Sequence, residues 1–484
     1  MADQQIPPEE LGTGQTVENV SPTDLNVQPY EPPPEDPSGS GAVPPPPMSG
    51  LPIRMIIIAG LGLLILVGIV LGIMAFLRGG SGENGGEEIA LTYWGLWESK
   101  DVMQTVISDY ERQHPNVHIV YEQHSPIQYR ERLQAAIQRK EGPDIFRFHN
   151  TWVPMLTSDL AAVPNSVIST DQASKLFPSG VVQDLTKDDQ LVGIPYGIDM
   201  LMLYYNVAMF ESAGVSPPKT WEEFSTIADQ LTIKNEVGQI MTAGAAMGTA
   251  DNVEHFSDIL GLIMFQNGVT FSNLSSPAAN QALEFYSLFA MPPNNIWDAN
   301  QDNSIVAFAS GQVAMVFAPS WQVDIIKSIN PDLNFATATV PQLAGATPVG
   351  WGTYWVEGVS SQSTHKDEAF EFVKYLSEKE TMSKLYAEAS KLESRSFGEP
   401  YARIDLHNQL ASSEYLAPIA EQAPYMHSWY MASRTQDNGI NDKIISYLKD
   451  AVNAVNQGSS STGAWETALQ GIQQVLVEYN VESK

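Results

Sequence analysis

The chain has 484 residues, 43% of them hydrophobic, and contains no cysteine. This apolar fraction supports a sizeable core, and the length fits two or three domains of ordinary size. The lack of cysteine excludes disulfides, thiolate metal sites, thiol nucleophiles and a lipid anchor on cysteine. The formal net charge of −31 disfavours nucleic-acid binding, because phosphate backbones are repelled and the sequence shows no basic patch.

Residues 1–52 form a predicted disordered tail. The first fifty residues hold 12 of the 32 prolines and eight acidic residues, but no lysine or arginine. Such a segment buries too little apolar surface to offset its ordering entropy, and its proline runs favour extended polyproline II. A proline-rich docking site is the alternative interpretation of this tail.

An uncharged run of 23 residues, Met55–Leu77, follows between Arg54 and Arg78. About twenty apolar residues are enough to span a bilayer as a helix. A signal peptide would have a shorter apolar stretch and a small-residue cleavage site, so residues 53–78 predict a retained single-pass membrane anchor. A buried core helix is the rival interpretation. One arginine on each side leaves the orientation unsignalled.

After a glycine-rich linker at 79–86, residues 87–484 read as one globular body. Its first part alternates strand-like and helical runs, in the order 89–94, 101–113, 117–121, 127–139 and 145–148. This alternation predicts βαβ units around a largely parallel sheet. Ligands of such sheets bind outside the carboxyl ends of the strands, where this chain places Trp97, Glu98 and Trp152.

Seven segments between residue 88 and about residue 400 form an ordered set: Tyr93–Trp97, Tyr110–Val117, Gly142–Ile145, Val192–Asp199, Leu203–Asn206, Pro217–Phe224 and Phe308–Met315. In this order they resemble the extracellular solute-binding proteins of ABC importers, in the sugar-binding branch typified by maltose-binding protein. Each segment alone is weakly specific, so the resemblance depends on the whole set. The first 86 residues lie outside it.

The resemblance implies an α/β, two-lobed periplasmic-binding-protein-like fold with the ligand cleft between the lobes. Closure of the cleft around a ligand by a hinge motion is known for this class of protein. The implied ranges are residues 87–196 and 337–397 for the first lobe, 197–335 and 398–484 for the second, and Pro195–Asp199 and Ala336–Pro341 for the hinge crossings.

Carbohydrate sites combine aromatic stacking surfaces with carboxylate, amide and arginine partners. Position in the chain and the resemblance together predict ligand contacts at Trp97, Glu98, Trp152, Asp199, Asn252, Glu254, Trp321, Trp351, Tyr354, Trp355 and Arg395. A core position is the alternative for each aromatic residue, and a solvated surface charge is the alternative for each polar one. Strand alternation directs only one of Tyr354 and Trp355 into the cleft.

These observations predict a membrane-anchored extracytoplasmic solute-binding protein that delivers a mono- or oligosaccharide to ABC permease subunits. A ligand sensor on the same fold and a carbohydrate-active hydrolase are the alternatives. No enzyme motif is found, and neither a cofactor nor a metal is predicted. A calcium-loop-like run from Asp298 lacks the required glycine, because Asn303 occupies the sixth position. The acidic body disfavours anionic solutes and leaves neutral or cationic ones.

Overall fold

The computed structural model describes residues 88–293 and 295–481, without the side chain of Phe271. The predicted disordered tail, the membrane anchor at Met55–Leu77 and the linker at 79–86 lie outside these residues and stay predictions. Within the described ranges, no helix combines the length and the apolar character needed to cross a bilayer.

The strands of the described part are short. In chain order they are β1 (Ile89–Gly95), β2 (Val117–Gln123), β3 (Ile145–His149), β4 (Thr186–Lys187), β5 (Gln190–Leu191), β6 (Asp199–Met200), β7 (Met202–Asn206), β8 (Ile233–Lys234), β9 (Ile240–Thr242), β10 (Met315–Ala318), β11 (Phe335–Ala338), β12 (Gly350–Thr353), β13 (Trp355–Val359) and β14 (Met426–His427).

The helices connect these strands and, after β14, close the chain. In order they are α1 (Lys100–Gln113), α2 (Tyr129–Gln138), α3 (Thr170–Leu176), α4 (Ser179–Leu185), α5 (Val207–Ala213), α6 (Trp221–Leu231), α7 (Phe256–Gln266), α8 (Pro277–Leu288), α9 (Ser304–Ala309), α10 (Gln322–Ile329), α11 (Lys366–Leu376), α12 (Lys379–Ala389), α13 (His407–Leu410), α14 (Ala417–Gln422), α15 (Ile440–Asn456) and α16 (Ser461–Glu478). Short 3-10 turns include Asn150–Trp152 and Ala423–Tyr425.

Sheet one has the strand order β13-β3-β1-β2. Strands β2 and β3 both run parallel to β1, which confirms the predicted βαβ arrangement, whereas β13 is antiparallel to β3. Every residue of β3 is buried, as expected for a central strand covered on both faces. Helices α1, α11 and α12 pack together beside this sheet. The carboxyl ends of β1 and β3 therefore meet the first residue of β13 at one edge.

Sheet two is antiparallel and has the order β10-β7-β11, and sheet three joins β14, β12 and β6. Around sheet two lie α5, α9 and α14, and the last helices α15 and α16 pack on α7 and α8. Ile194 still pairs with Glu357 of sheet one, whereas Asp199 pairs with Thr353 of sheet three, so the predicted crossing Pro195–Asp199 falls between these pairings.

The second predicted crossing, Ala336–Pro341, overlaps β11, whose residues up to Ala338 stay paired with β7. The chain rejoins sheet one only at Trp355. The lobe boundaries themselves stay predictions.

At the start of α6, the Thr220 hydroxyl caps the helix by accepting from the Glu223 amide at 3.2 Å. The Glu223 carboxylate reaches back to the amide of Lys219.

Candidate functional site

Three tryptophans gather at the edge of sheet one where β1 and β3 end. Trp97 follows β1 by two residues, Trp152 follows β3, and Trp355 begins β13 opposite His149. The ring centroid of Trp355 lies 5.5 Å from that of Trp97 and 5.2 Å from that of Trp152, both in edge-to-face geometry. We call Trp97, Trp152 and Trp355 the tryptophan cluster. It lies where parallel α/β sheets bind their ligands.

The cluster members differ in exposure. The side chain of Trp97 is 42% exposed and Trp355 is half-buried, so these two rings present accessible surface. Trp152 is fully buried, and its indole N–H finds no acceptor among the described residues. His149 lies beneath the cluster, 5.1 Å from the Trp355 ring, and its two ring nitrogens contact the hydroxyls of Thr151 and Thr353. Burial lowers the pKa of His149 to about 3, so it is neutral at physiological pH.

Glu98 does not join the exposed surface of the cluster. Its carboxylate is buried against the Arg147 guanidinium and the Tyr196 hydroxyl, and Arg147 also holds Glu357, with Nε to Oε1 at 2.7 Å. We call Glu98, Arg147 and Glu357 the buried triad. Burial opposes ionisation of Glu98, but Arg147 and the Tyr196 hydrogen bond outweigh it and lower the pKa. For Glu357 burial prevails, and the pKa is raised.

Asp199 organises the loop that carries Trp321. Its carboxylate accepts hydrogen bonds from the Ser320 amide and hydroxyl, each at 2.9 Å, and from the Met200 amide at 2.7 Å. Burial raises the pKa of Asp199 to about 7 despite these bonds. The Trp321 ring is 37% exposed and meets His255 edge-to-face at 5.6 Å. Asp199 therefore connects the predicted crossing to a second exposed tryptophan.

The pKa of Asp199 predicts a pH effect on stability. Because folding raises this pKa from 3.8 to about 7, the folded protein binds the proton more tightly than the unfolded chain does. The contribution of Asp199 to stability is therefore fully present below about pH 4 and is lost as the pH rises through about 7. We expect Asp199→Asn, which cannot ionise, to gain stability relative to wild type between pH 5 and pH 8 in urea unfolding. A constant or falling difference would contradict the assignment.

Asn252 and Glu254 are occupied by neighbouring protein groups. The Asn252 side-chain amide donates to the carbonyls of Asp298 and Gln301, each at 2.9 Å. These bonds tie the loop that carries Asn252 to the segment around residues 298–301. The Glu254 carboxylate pairs with Arg434 at 2.7 Å. The role of both residues in ligand binding stays a prediction.

Trp351 and Tyr354 lie in the interior. Trp351 is 1% exposed, donates from Nε1 to Asp258 at 3.0 Å and packs directly on Gly261 of α7. The Tyr354 hydroxyl donates to Asp184 at 2.8 Å, while the adjacent Trp355 joins the cluster. The two neighbours thus make separate contacts, as strand alternation predicts.

Arg395 pairs with Glu399 four residues along the chain. Its positive charge lies close enough to help lower the pKa of Glu98. The side chain thus adds to the charges around the buried triad, and its role in ligand binding stays a prediction.

The structure also brings together residues that were not foreseen from the sequence. A cavity of about 450 Å³ opens between the start of α2 and the loop before α15, lined by Ile127, Gln128, Arg434, Gln436, Asn438 and Asp442. Asp184, on α4, also contacts residues next to the cluster. Nothing in the local sequence marks these positions, because they become neighbours only through folding. The described residues include no cluster of His, Asp and Glu suited to hold a metal.

A family model described as "Bacterial extracellular solute-binding protein" matches residues 105–392. The chain belongs to this family. The membership confirms the family predicted from the seven ordered segments, and it places this solute-binding protein among extracytoplasmic binding proteins rather than enzymes.

Two relatives of the solute-binding protein carry sugar-related names. The "Multiple sugar-binding protein" of Streptococcus mutans is 21% identical over 345 residues, which cover 67% of this chain and 80% of the relative. The "Maltotriose-binding protein" of Pyrococcus abyssi is 21% identical over 287 residues, which cover 57% of this chain and 59% of the relative.

Solved structures share the fold. The sugar-binding protein MalE of Xanthomonas citri superposes with a TM-score of 0.66 at 20% identity, covering 81% of this chain and 98% of that one. The cyclic alpha-maltosyl-1,6-maltose binding protein of Arthrobacter globiformis gives the same TM-score and identity, covering 81% and 100%. These likenesses confirm the predicted two-lobed α/β fold for the described body.

Proposed function

We propose that this solute-binding protein captures a neutral mono- or oligosaccharide in its interlobe cleft by hinge closure and delivers it to an ABC permease. The tryptophan cluster carries this proposal. Exposed indole faces at the ligand-binding edge of a sheet are suited to stack on the apolar C–H faces of sugar rings. The sugar-related names of the relatives support the same ligand class.

Trp321 supplies a second aromatic surface for the proposed ligand. It follows the end of β10 in sheet two, and Asp199 fixes the preceding residue. We infer that the ligand lies between Trp321 and the accessible faces of Trp97 and Trp355. Amide and guanidinium groups on the cavity of about 450 Å³ would serve its hydroxyls, and this volume falls in the usual range of small-molecule sites.

Charge supports a neutral ligand. Residues 87–484 hold most of the acidic excess of a chain with 56 acidic and 25 basic residues. Arg434, on the cavity wall, is already neutralised by Glu254, and Arg395 by Glu399. An anionic sugar would therefore meet a repulsive field that these two paired arginines offset little.

Membrane anchoring by Met55–Leu77 belongs to the same proposal. The run is long enough to span a bilayer, and a chain without cysteine cannot carry a lipid on that residue. An anchored body would keep the binding protein at the surface where a permease operates.

Calorimetric titration of the full-length protein with maltose, maltotetraose, trehalose and glucuronic acid tests the ligand class. We expect at least one neutral saccharide to bind and glucuronic acid to bind weakly or not at all. Trp97→Ala and Trp321→Ala should each weaken binding about tenfold, since about 1.4 kcal/mol corresponds to a factor of ten. Both rings are exposed, so these changes should leave the fold intact.

Leu288→Ala is the matched control, because Leu288 is an exposed apolar residue at the end of α8. Its affinity should equal that of wild type. Absence of binding to every saccharide, or an affinity that neither tryptophan change alters, would contradict the carbohydrate site.

A further inference from the structure

One carboxylate oxygen near the tryptophan cluster collects three side-chain hydrogen bonds. Oδ2 of Asp184 accepts from Nδ2 of Asn150 at 3.1 Å, from the Tyr354 hydroxyl at 2.8 Å and from the Ser428 hydroxyl at 2.7 Å. Asp184 lies on α4, and its three donors come from segments far apart in the chain. The three donor residues are all buried.

Each donor lies one or two residues before a tryptophan. Asn150 precedes Trp152 by two residues, whereas Tyr354 and Ser428 immediately precede Trp355 and Trp429. Two of these tryptophans belong to the tryptophan cluster, with ring centroids 5.2 Å apart. Asp184 therefore contacts every one of these segments just before its indole.

The donors also bond to one another. The Asn150 amide side chain donates to Ser428 Oγ at 3.0 Å, and its oxygen accepts from the Tyr354 backbone at 3.3 Å. The Asn150 backbone N–H donates to the Tyr354 carbonyl at 3.0 Å. The segment after β3, the start of β13 and the segment after β14 thus form one network centred on Asp184. Such networks fix side-chain positions more firmly than their separate bonds would.

The choice of a carboxylate fits this role. The three side chains that donate to Asp184 are all neutral, so none of these donors offsets the charge of its carboxylate. Burying an unpaired carboxylate is unfavourable for stability. An ionised carboxylate is, however, a pure acceptor, so Oδ2 of Asp184 can receive hydrogen bonds from three donors without presenting a competing donor of its own. Stability therefore does not explain a buried carboxylate at position 184, whereas the positioning of its three donors does.

We propose that Asp184 is a positioning residue of the ligand site, fixing Trp152, Trp355 and Trp429 through Asn150, Tyr354 and Ser428. The inference rests on the proposed function for its binding readout. It does not depend on that function for the packing of the tryptophans, which can be measured without ligand.

The test compares Asp184→Leu, which keeps the branched shape but accepts nothing, with Asp184→Asn, which keeps one acceptor oxygen. Full-length protein is titrated with maltotetraose by calorimetry, and acrylamide quenching of tryptophan fluorescence is measured without ligand. We expect the leucine variant to lose affinity about tenfold and to be quenched more strongly, and the asparagine variant to recover to within about threefold of wild type.

Asp144→Leu is the matched control. Asp144 precedes β3 at the opposite end of the strand and also accepts three hydrogen bonds, from the Thr92 amide and hydroxyl and the Ser363 hydroxyl. This variant should lower the urea midpoint but leave affinity and quenching near wild type. Equal effects of the two leucine variants would mean general destabilisation and would overturn the proposal, as would an Asp184→Leu protein with unchanged quenching.

Ser428→Ala removes one of the three donors to Asp184. This variant tests the positioning role of Asp184 if the Asp184→Leu protein does not fold. We expect about a threefold loss of affinity and a measurable rise in quenching, and no change in either would overturn the proposal. Failure of wild type to bind any saccharide would contradict the proposed function, whereas the quenching comparison would still test Asp184.

Discussion

Arg147→Met should lower the free energy of unfolding by about 3–5 kcal/mol, because it leaves the carboxylates of Glu98 and Glu357 buried without their cation. All three side chains of the buried triad are at most 2% exposed. Arg147 also lies over the Tyr196 ring at 4.7 Å. Removing the guanidinium therefore eliminates two ion pairs and a cation–π contact, and water cannot replace them because the site is buried.

Urea unfolding of the purified variant measures this loss. The control is Arg112→Met, since the Arg112 guanidinium is 71% exposed beside Asp109 and should change stability by less than about 0.5 kcal/mol. Adding Glu98→Gln and Glu357→Gln to Arg147→Met should recover part of the loss, because the uncompensated charges are gone. An Arg147→Met protein as stable as the Arg112 control would show that the triad is not a buried charge cluster.

Trp351→Ala should destabilise the protein by about 3–5 kcal/mol, the usual range for emptying a buried tryptophan site. The ring is fully buried, packs on Gly261 and donates to Asp258. A residue in this position supports the fold without presenting a surface to solvent. The sequence suggested a ligand contact here, and the burial now argues for a core residue.

Trp351→Phe separates the two roles. The smaller ring keeps much of the core packing, so we expect a folded protein that binds saccharide with wild-type affinity. Trp321→Ala should behave in the opposite way, with nearly unchanged urea unfolding and weakened binding, because that ring is partly exposed. A folded Trp351→Phe protein that fails to bind would restore Trp351 as a ligand contact.

Much of the fold could be predicted from the sequence. The alternation of apolar strands and amphipathic helices at the start of the body gave β1, α1, β2, α2 and β3 nearly at their observed bounds. Parallel pairing then placed Trp97 and the residues after β3 at one edge of sheet one. The rule that ligands of parallel sheets bind at this edge requires no tertiary structure. The sequence could therefore place Trp97 and Trp152 together at the predicted ligand site.

The side chains at the site were harder to assign. Glu98 follows Trp97 in the sequence, yet its side chain points into the buried triad. Its partner Arg147 lies 49 residues further along the chain and reaches Glu98 only once β3 pairs with β1, so the sequence did not reveal this ion pair. Asp184 gave no signal at all in the run Val-Val-Gln-Asp-Leu, since its three donors come from distant segments.

The sequence by itself determined the family, the α/β class and the order of the early strands and helices, and it predicts the edge at which a ligand would bind. Each of these follows from local periodicity or from motifs read along the chain. Only the tertiary structure decided which tryptophans are exposed, which carboxylates are neutralised and which segments one aspartate holds together. The exposure of a side chain and the pairing of its charge depend on residues that are distant in sequence. Local sequence patterns do not show which of these residues become neighbours in space.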